Sequence, residues 1–169
     1  MTIELDQFNC EYTKISNFTN LRVRKFNRTT AVLNGTYEMF IEMNNDHELE
    51  CYCDRSALGN NQFSRYPLKL LPMPVCDFIK FYLAPNSGQF QNYTNFPRIP
   101  REGLCPTPKG EFYIKNLIMD SNKIPSVAPE GYYRCYFDIR QINPREELSR
   151  CTIYARIVKE LQVASFAAT

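Results

Sequence analysis

The chain holds one histidine, His47, within the polar run Asn44-Asn45-Asp46-His47-Glu48, so nucleophilic catalysis of the Ser-His or Cys-His kind would have to be built around that single imidazole. The Gly-x-Ser-x-Gly elbow, the His-Glu-x-x-His pair, a phosphate-binding Gly-rich loop and the dinucleotide fingerprint are all missing from the sequence. Eighteen acidic residues always offer carboxylate pairs, but most of those that can be placed fall on outward strand faces and read as solvated. Seven cysteines are the other reactive groups. His47, Cys51 and Cys53 share one strand parity, and imidazole with two thiolates would suit zinc, but no fourth ligand lies close. Two small core residues with separate partners are the simpler reading. The expectation is a chain that is not an enzyme and has no metal and no cofactor.

The elements that carry these residues follow from alternation of period two, the mark of a strand with one face buried. It is clearest in 36–43 (Tyr37, Met39, Ile41 and Met43 on one side), 48–54 (Leu49, Cys51, Cys53), 132–140 (Tyr133, Cys135, Phe137, Ile139) and 151–157 (Cys151, Ile153, Ala155, Ile157). Weaker strands are expected at 8–15, 21–26, 63–71 and 111–119. In the last of these, Phe112 and Ile114 give way to Leu117 and Met119 with a change of parity that predicts a bulge. Turn signals such as Asn34-Gly35 and Pro129-Glu130-Gly131 punctuate the series. Pro74, Val75, Phe78, Ile79 and Tyr82 have helical spacing, with proline suited to a first turn and Asp77 near the positive end of the dipole, so a short helix is expected near 74–83. The stretch 84–108, with five prolines, should be mostly loop. The sum is an all-β fold, a two-sheet antiparallel sandwich of about eight strands forming one domain over 1–169.

Cysteine spacing does not dictate connectivity. The expected pairings are Cys76 with Cys105, anchoring the helix to the Pro-rich loop, Cys10 with Cys151, joining the terminal strands, and Cys135 with either Cys51 or Cys53. One cysteine is left free or pairs between chains. Four glycosylation sequons begin at Asn17, Asn27, Asn34 and Asn92 and, with the cysteines, favour a secreted, extracellular protein. Met1-Thr2-Ile3-Glu4 lacks the basic and apolar stretches of a signal peptide and reads as a mature chain behind an added methionine. No apolar run approaches the roughly 18 residues that would span a bilayer, so a soluble protein is expected. A net charge of +2 is too balanced for nucleic acid as a main partner. The cluster Arg22, Arg24, Lys25 and Arg28 could meet anionic headgroups but reads first as a wet strand face.

Several segments, in order, carry a resemblance. They are Asn27-Arg28-Thr29 with Leu33-Asn34-Gly35-Thr36, Pro72-Met73-Pro74-Val75-Cys76-Asp77-Phe78, Cys105-Pro106-Thr107-Pro108-Lys109-Gly110 running into Phe112-Tyr113-Ile114-Lys115-Asn116, and Pro129-Glu130-Gly131-Tyr132-Tyr133-Arg134. Over roughly 27–140 the chain resembles the insect secreted family that includes the chemosensory CheB proteins, itself similar to the ganglioside activator protein and related in architecture to ML-type lipid-recognition domains. The Cys51-Tyr52-Cys53 pair departs from the commoner pattern of that family. The resemblance implies a β-cup with a hydrophobic cavity between its sheets, a lipid or other hydrophobic small molecule as partner, and presentation of that cue, a pheromone or contact signal, to a sensory receptor or at a membrane surface. The chain is expected to act as a monomer.

For such a cavity the candidate lining is Tyr37, Met39, Ile41 and Met43, Phe78, Phe81 and Tyr82 on the helix, Phe112 and Ile114, and Tyr133, Phe137 and Ile139. Flexible Met and large aromatics adapt to varied apolar ligands. Lys109 and Arg98 are candidate polar groups at the mouth. The alternative is an adhesion or receptor-binding sandwich with a filled core and function on exposed loops such as 93–101.

Overall fold

The computed structural model describes residues 1–160, in which nine strands form two antiparallel sheets. Five strands make the larger sheet, in the order β1 (Thr2–Thr13), β9 (Glu146–Val158), β8 (Gly131–Gln141), β5 (His47–Ser56) and β6 (Ser64–Pro74). The smaller sheet is built around β4 (Ala31–Met39). One edge of β4 is shared by β2 (Ser16–Asn17) and β3 (Leu21–Lys25), and the other pairs with β7 (Gly110–Leu117). This is the expected two-sheet sandwich. Strand β6, at the edge of the larger sheet, carries Pro67, Pro72 and Pro74, which lack the N–H another strand would need and so blunt the edge.

Alternation places the apolar set of each strand between the sheets. Leu49 of the larger sheet and Val75 of the helix that follows β6 meet Met39 and Phe112 of the smaller sheet in the main core, while Leu5 and Ala155 meet Leu21 and Leu33 in a second. The parity change in β7 is indeed a bulge: the register slips between Leu33 and Gly35, Asn116 takes φ +53°, and its N–H donates to the Asn34 side chain. Ile114 and Leu117 both face the core as a result.

Three expectations need correction. Asn34-Gly35 is not a turn but the middle of β4, which runs from Ala31 to Met39 and leaves Ile41 and Met43 beyond its end. Gly35 has φ +136°, and a Cβ there would lie 1.8 Å from the Asn20 carbonyl oxygen, so glycine is required because the corner joining β2 to β3 approaches the edge of β4 at contact distance. Met43 stays in the core because its backbone exchanges two hydrogen bonds with Thr107 at 2.8 and 2.9 Å.

The helix is present as α1 (Val75–Phe78), widening into π-type turns over Ile79–Leu83. It continues further than expected, through a 3-10 turn at Ala84–Asn86, α2 (Ser87–Phe90) and another 3-10 turn at Gln91–Tyr93. Pro85 is tolerated because the first turn of a helix does not use that N–H.

The outer face of the larger sheet is not the solvated surface its charge pattern implies. Asp138 is 1% exposed and Arg140 5%, because arginines and tyrosines lie flat across the strands. Asp138 takes two hydrogen bonds from Arg150 and one from the Tyr52 hydroxyl, each at 2.9 Å. Asp54 accepts from Arg65 and Arg134, and Arg140 donates to Glu48, Glu50 and Glu147. Tyr52 and Tyr136 stack at 5.0 Å, with Arg65 over Tyr52.

Disulfides join Cys10 to Cys151 across β1 and β9, Cys53 to Cys135 across β5 and β8, and Cys76 to Cys105 between α1 and the following loop. Cys53 is therefore the partner of Cys135, and Cys51 is left as a thiol. Three disulfides fit a secreted or extracellular protein. Among the described residues no helix is long and apolar enough to cross a membrane.

Candidate functional site

Strand β4 presents Tyr37 and Met39 on its inner face, β7 presents Ile114 and Leu117, and the helical arm 75–93 passes over them with Ile79, Leu83 and Phe90 turned inward. The arm does not close down fully. Between it and the smaller sheet is a cavity of about 270 Å³ bounded by Tyr37, Leu83, Phe90, Phe96, Ile114 and Leu117. A second lobe of about 190 Å³ lies deeper, between β4, β5, β8 and α1, and includes Met39, Met43, Phe78 and Ile139. Tyr37, Leu83 and Phe96 belong to both lobes. Together the lobes reach the lower part of the range of small-molecule pockets, about 300–1,000 Å³. Neither lobe is lined by a charged residue.

The outer lobe shares Phe90, Tyr93 and Leu117 with a wider vestibule of about 660 Å³, beside which Ile118 and Met119 are exposed. Two other depressions, about 470 Å³ beside β1 to β3 and about 380 Å³ around Lys25, Arg28 and Arg156, are larger than either lobe but have roughly as much polar as apolar wall. An apolar ligand gains most against a wall made of carbon. The two-lobed cavity is therefore the candidate site.

Its polar groups are few. The Thr107 hydroxyl accepts from the Met43 N–H and the Thr94 hydroxyl from the Phe96 N–H. Tyr93 stands where the outer lobe meets the vestibule. Tyr37 is held between Phe18, stacked at 5.3 Å, and Phe112 at 5.6 Å. Burial alone pushes the Tyr37 phenol up to about 12.

The residues expected from sequence divide. Tyr37, Met39, Met43, Phe78, Ile114 and Ile139 line one lobe or both. Ile41, Phe112 and Phe137 pack into the surrounding core. Three are displaced. Phe81 and Tyr82 are 62% and 44% exposed because the helix turns positions 75, 79 and 83 inward and these two outward. Tyr133 lies six residues along β8 from Ile139, in a separate cluster with Ala128 and Ile157, where its hydroxyl donates to the Pro129 carbonyl. Lys109 and Arg98 are exposed and line neither lobe. The residues that sequence reasoning missed, Leu83, Phe90, Phe96, Ile99 and Leu117, lie mostly in the Pro-rich stretch read as loop. The spacing of Leu83 from Ile79 and Val75 was the one available signal.

Cys53 is bonded to Cys135, which removes it from any thiolate set with His47 and Cys51. His47 accepts a hydrogen bond from the Asn44 N–H through Nδ1, at 3.3 Å, within its turn. Of the sequons, Asn17, Asn27 and Asn92 are exposed. Asn34 lies mid-strand in β4, with its side chain engaged by the Asn116 N–H.

Residues 50–135 match the family described as a protein of unknown function, DUF1091. The chain belongs to this family. The matched span holds most of β5, all of β6, the helical arm, β7 and the start of β8, and so covers the arm that roofs the cavity and its β7 wall, while Tyr37, Met39, Met43, Leu49 and Ile139 lie outside it. No curated protein matches the chain.

Proposed function

We propose that this DUF1091 protein is a secreted binding protein that holds a small hydrophobic ligand in the two-lobed cavity and presents it in chemosensation. The observation that carries the reading is the uncharged, apolar space between the smaller sheet and the helical arm, in a core that would otherwise close. A filled core, as an adhesion sandwich would have, is disfavoured by that space. The ordered motifs shared with the CheB-like secreted proteins, and through them with the ganglioside activator, support ligand carriage and a sensory setting. The modest volume favours one short or medium apolar molecule over a lipid of several chains. Transfer of each buried methylene from water gains about 0.8 kcal/mol, enough for a medium alkyl chain to bind after the association cost. The role is binding, not catalysis.

The test is displacement of a fluorescent apolar dye, N-phenylnaphthylamine, from the secreted protein, with denaturing extraction and mass spectrometry of whatever co-purifies. Saturable one-to-one dye binding that Ile114→Trp abolishes while the fold melts cooperatively supports the proposal. An absence of binding, or binding that Ile114→Trp leaves intact, would sink it.

A further inference from the structure

Resting on the proposed ligand cavity, we infer that the Tyr37 hydroxyl is its polar anchor and selects neutral ligands with one hydrogen-bond-accepting oxygen, such as a ketone or ester, flanked by apolar arms. Tyr37 borders both lobes, so its side chain is within reach of a ligand in either. The ring cannot swing aside easily, being held between Phe18 and Phe112. Every buried side-chain nitrogen or oxygen among the described residues has a hydrogen-bond partner. The hydroxyls of Tyr52, Tyr132 and Tyr133 donate to Asp138, Asp6 and the Pro129 carbonyl, whereas that of Tyr37, whose side chain lines both lobes, has no protein partner among the described residues.

The lining then limits the oxygen it can serve. With no Lys or Arg in either lobe, a carboxylate would be desolvated without a counter-ion and is disfavoured, while an alkane leaves the phenol without an acceptor. The phenol stays protonated at neutral pH, since burial raises it to about 12, and so donates. The Thr94 and Thr107 hydroxyls are already engaged by backbone N–H groups.

Competition against N-phenylnaphthylamine with a symmetrical dialkyl ketone, the alkane of equal carbon count and the matching carboxylate tests this. The expected order at neutral pH is ketone over alkane by roughly tenfold, the scale of one net hydrogen bond, with the carboxylate weakest. Tyr37→Phe keeps the ring and its stacking, and is expected to erase the ketone preference by weakening the ketone and relieving the alkane of an unpaired phenol; Tyr93→Phe, at the mouth, should preserve the preference. Equal loss for ketone and alkane in Tyr37→Phe, no change in either, or loss of the preference through Tyr93→Phe instead overturns the assignment to Tyr37 while the cavity reading stands. If wild-type protein binds neither dye nor competitor, the cavity reading fails and this inference with it.

Discussion

Asp138 shows how far a residue's role departs from its type. Its parity on β8 points it outward, yet it is 1% exposed and accepts three hydrogen bonds, two of them from one guanidinium. Asp138→Asn keeps the shape but removes the charge opposite Arg150 and leaves donors facing donors. The expected cost is about 2–3 kcal/mol, measured as a fall in urea midpoint without a change in slope. Cys51 is a second case. Burial first, then the nearby Asp138 and Glu50 carboxylates, push its thiol from 9.0 up to about 12, so the folded protein should resist thiol reagents near pH 8 and yield one thiol per chain only on denaturation. Cys51 and Tyr37 both hold their protons more tightly folded than unfolded. Their stabilisation is full below pH 9, where neither state ionises, and is lost as pH rises from about 9 towards 12 while the unfolded chain deprotonates first. Melting temperature is expected to fall across that window, with Cys51→Ala removing the thiol's part of the fall.

At the scale of elements, the disulfides differ in what they hold. Cys10–Cys151 spans 141 residues of sequence and ties β1 to β9 without lining either lobe, while Cys76–Cys105 spans 29 and pins the start of the helical arm. Loop-closure entropy assigns roughly 5 kcal/mol to the first and roughly 3.5 to the second. Cys10→Ala with Cys151→Ala should therefore lower the urea midpoint more, yet leave dye affinity within about twofold. Cys76→Ala with Cys105→Ala should cost less stability and weaken dye binding about tenfold or more, because a loosened arm must be ordered again on binding, at about 1–2 kcal/mol per backbone residue fixed. Equal binding in the two double variants would show that the bridge does not organise the cap. Strand alternation was legible in sequence at this scale. The arm was not, since its prolines and its short α, π and 3-10 turns disguise the inward row of Val75, Ile79 and Leu83.

For the whole molecule, chain order and spatial order diverge. The last described strand, β9, lies between β1 and β8 and is not an edge, so the larger sheet is incomplete until almost the whole described chain is present. Ending the chain after residue 145 would expose β8 and β1 together and strip Asp138 of Arg150; no cooperative melt by circular dichroism is expected. A truncated chain that melted as sharply as the intact one would mean that β1 can pair directly with β8. Folding should be slow for the size of the chain, because the first strand waits for the last.

What the sequence determined by itself is what local periodicity can encode: mostly strands, one face in and one out, a bulge in β7, a helix after Pro74, strand cysteines on the apolar parity. Each of these needs only the pleat or the helical turn to be read. Tertiary structure alone decided that Gly35 serves a close approach of backbone and not a turn, that Cys135 takes Cys53, that the charged face of the larger sheet is buried under its own arginines, and that Tyr133 belongs to a different cluster from Ile139. The cavity belongs to that second group. Its residues are apolar like any core residues, and whether they touch or stand apart depends on how far the helical arm is held from β4 and β7, a distance between segments remote in sequence that no local pattern records.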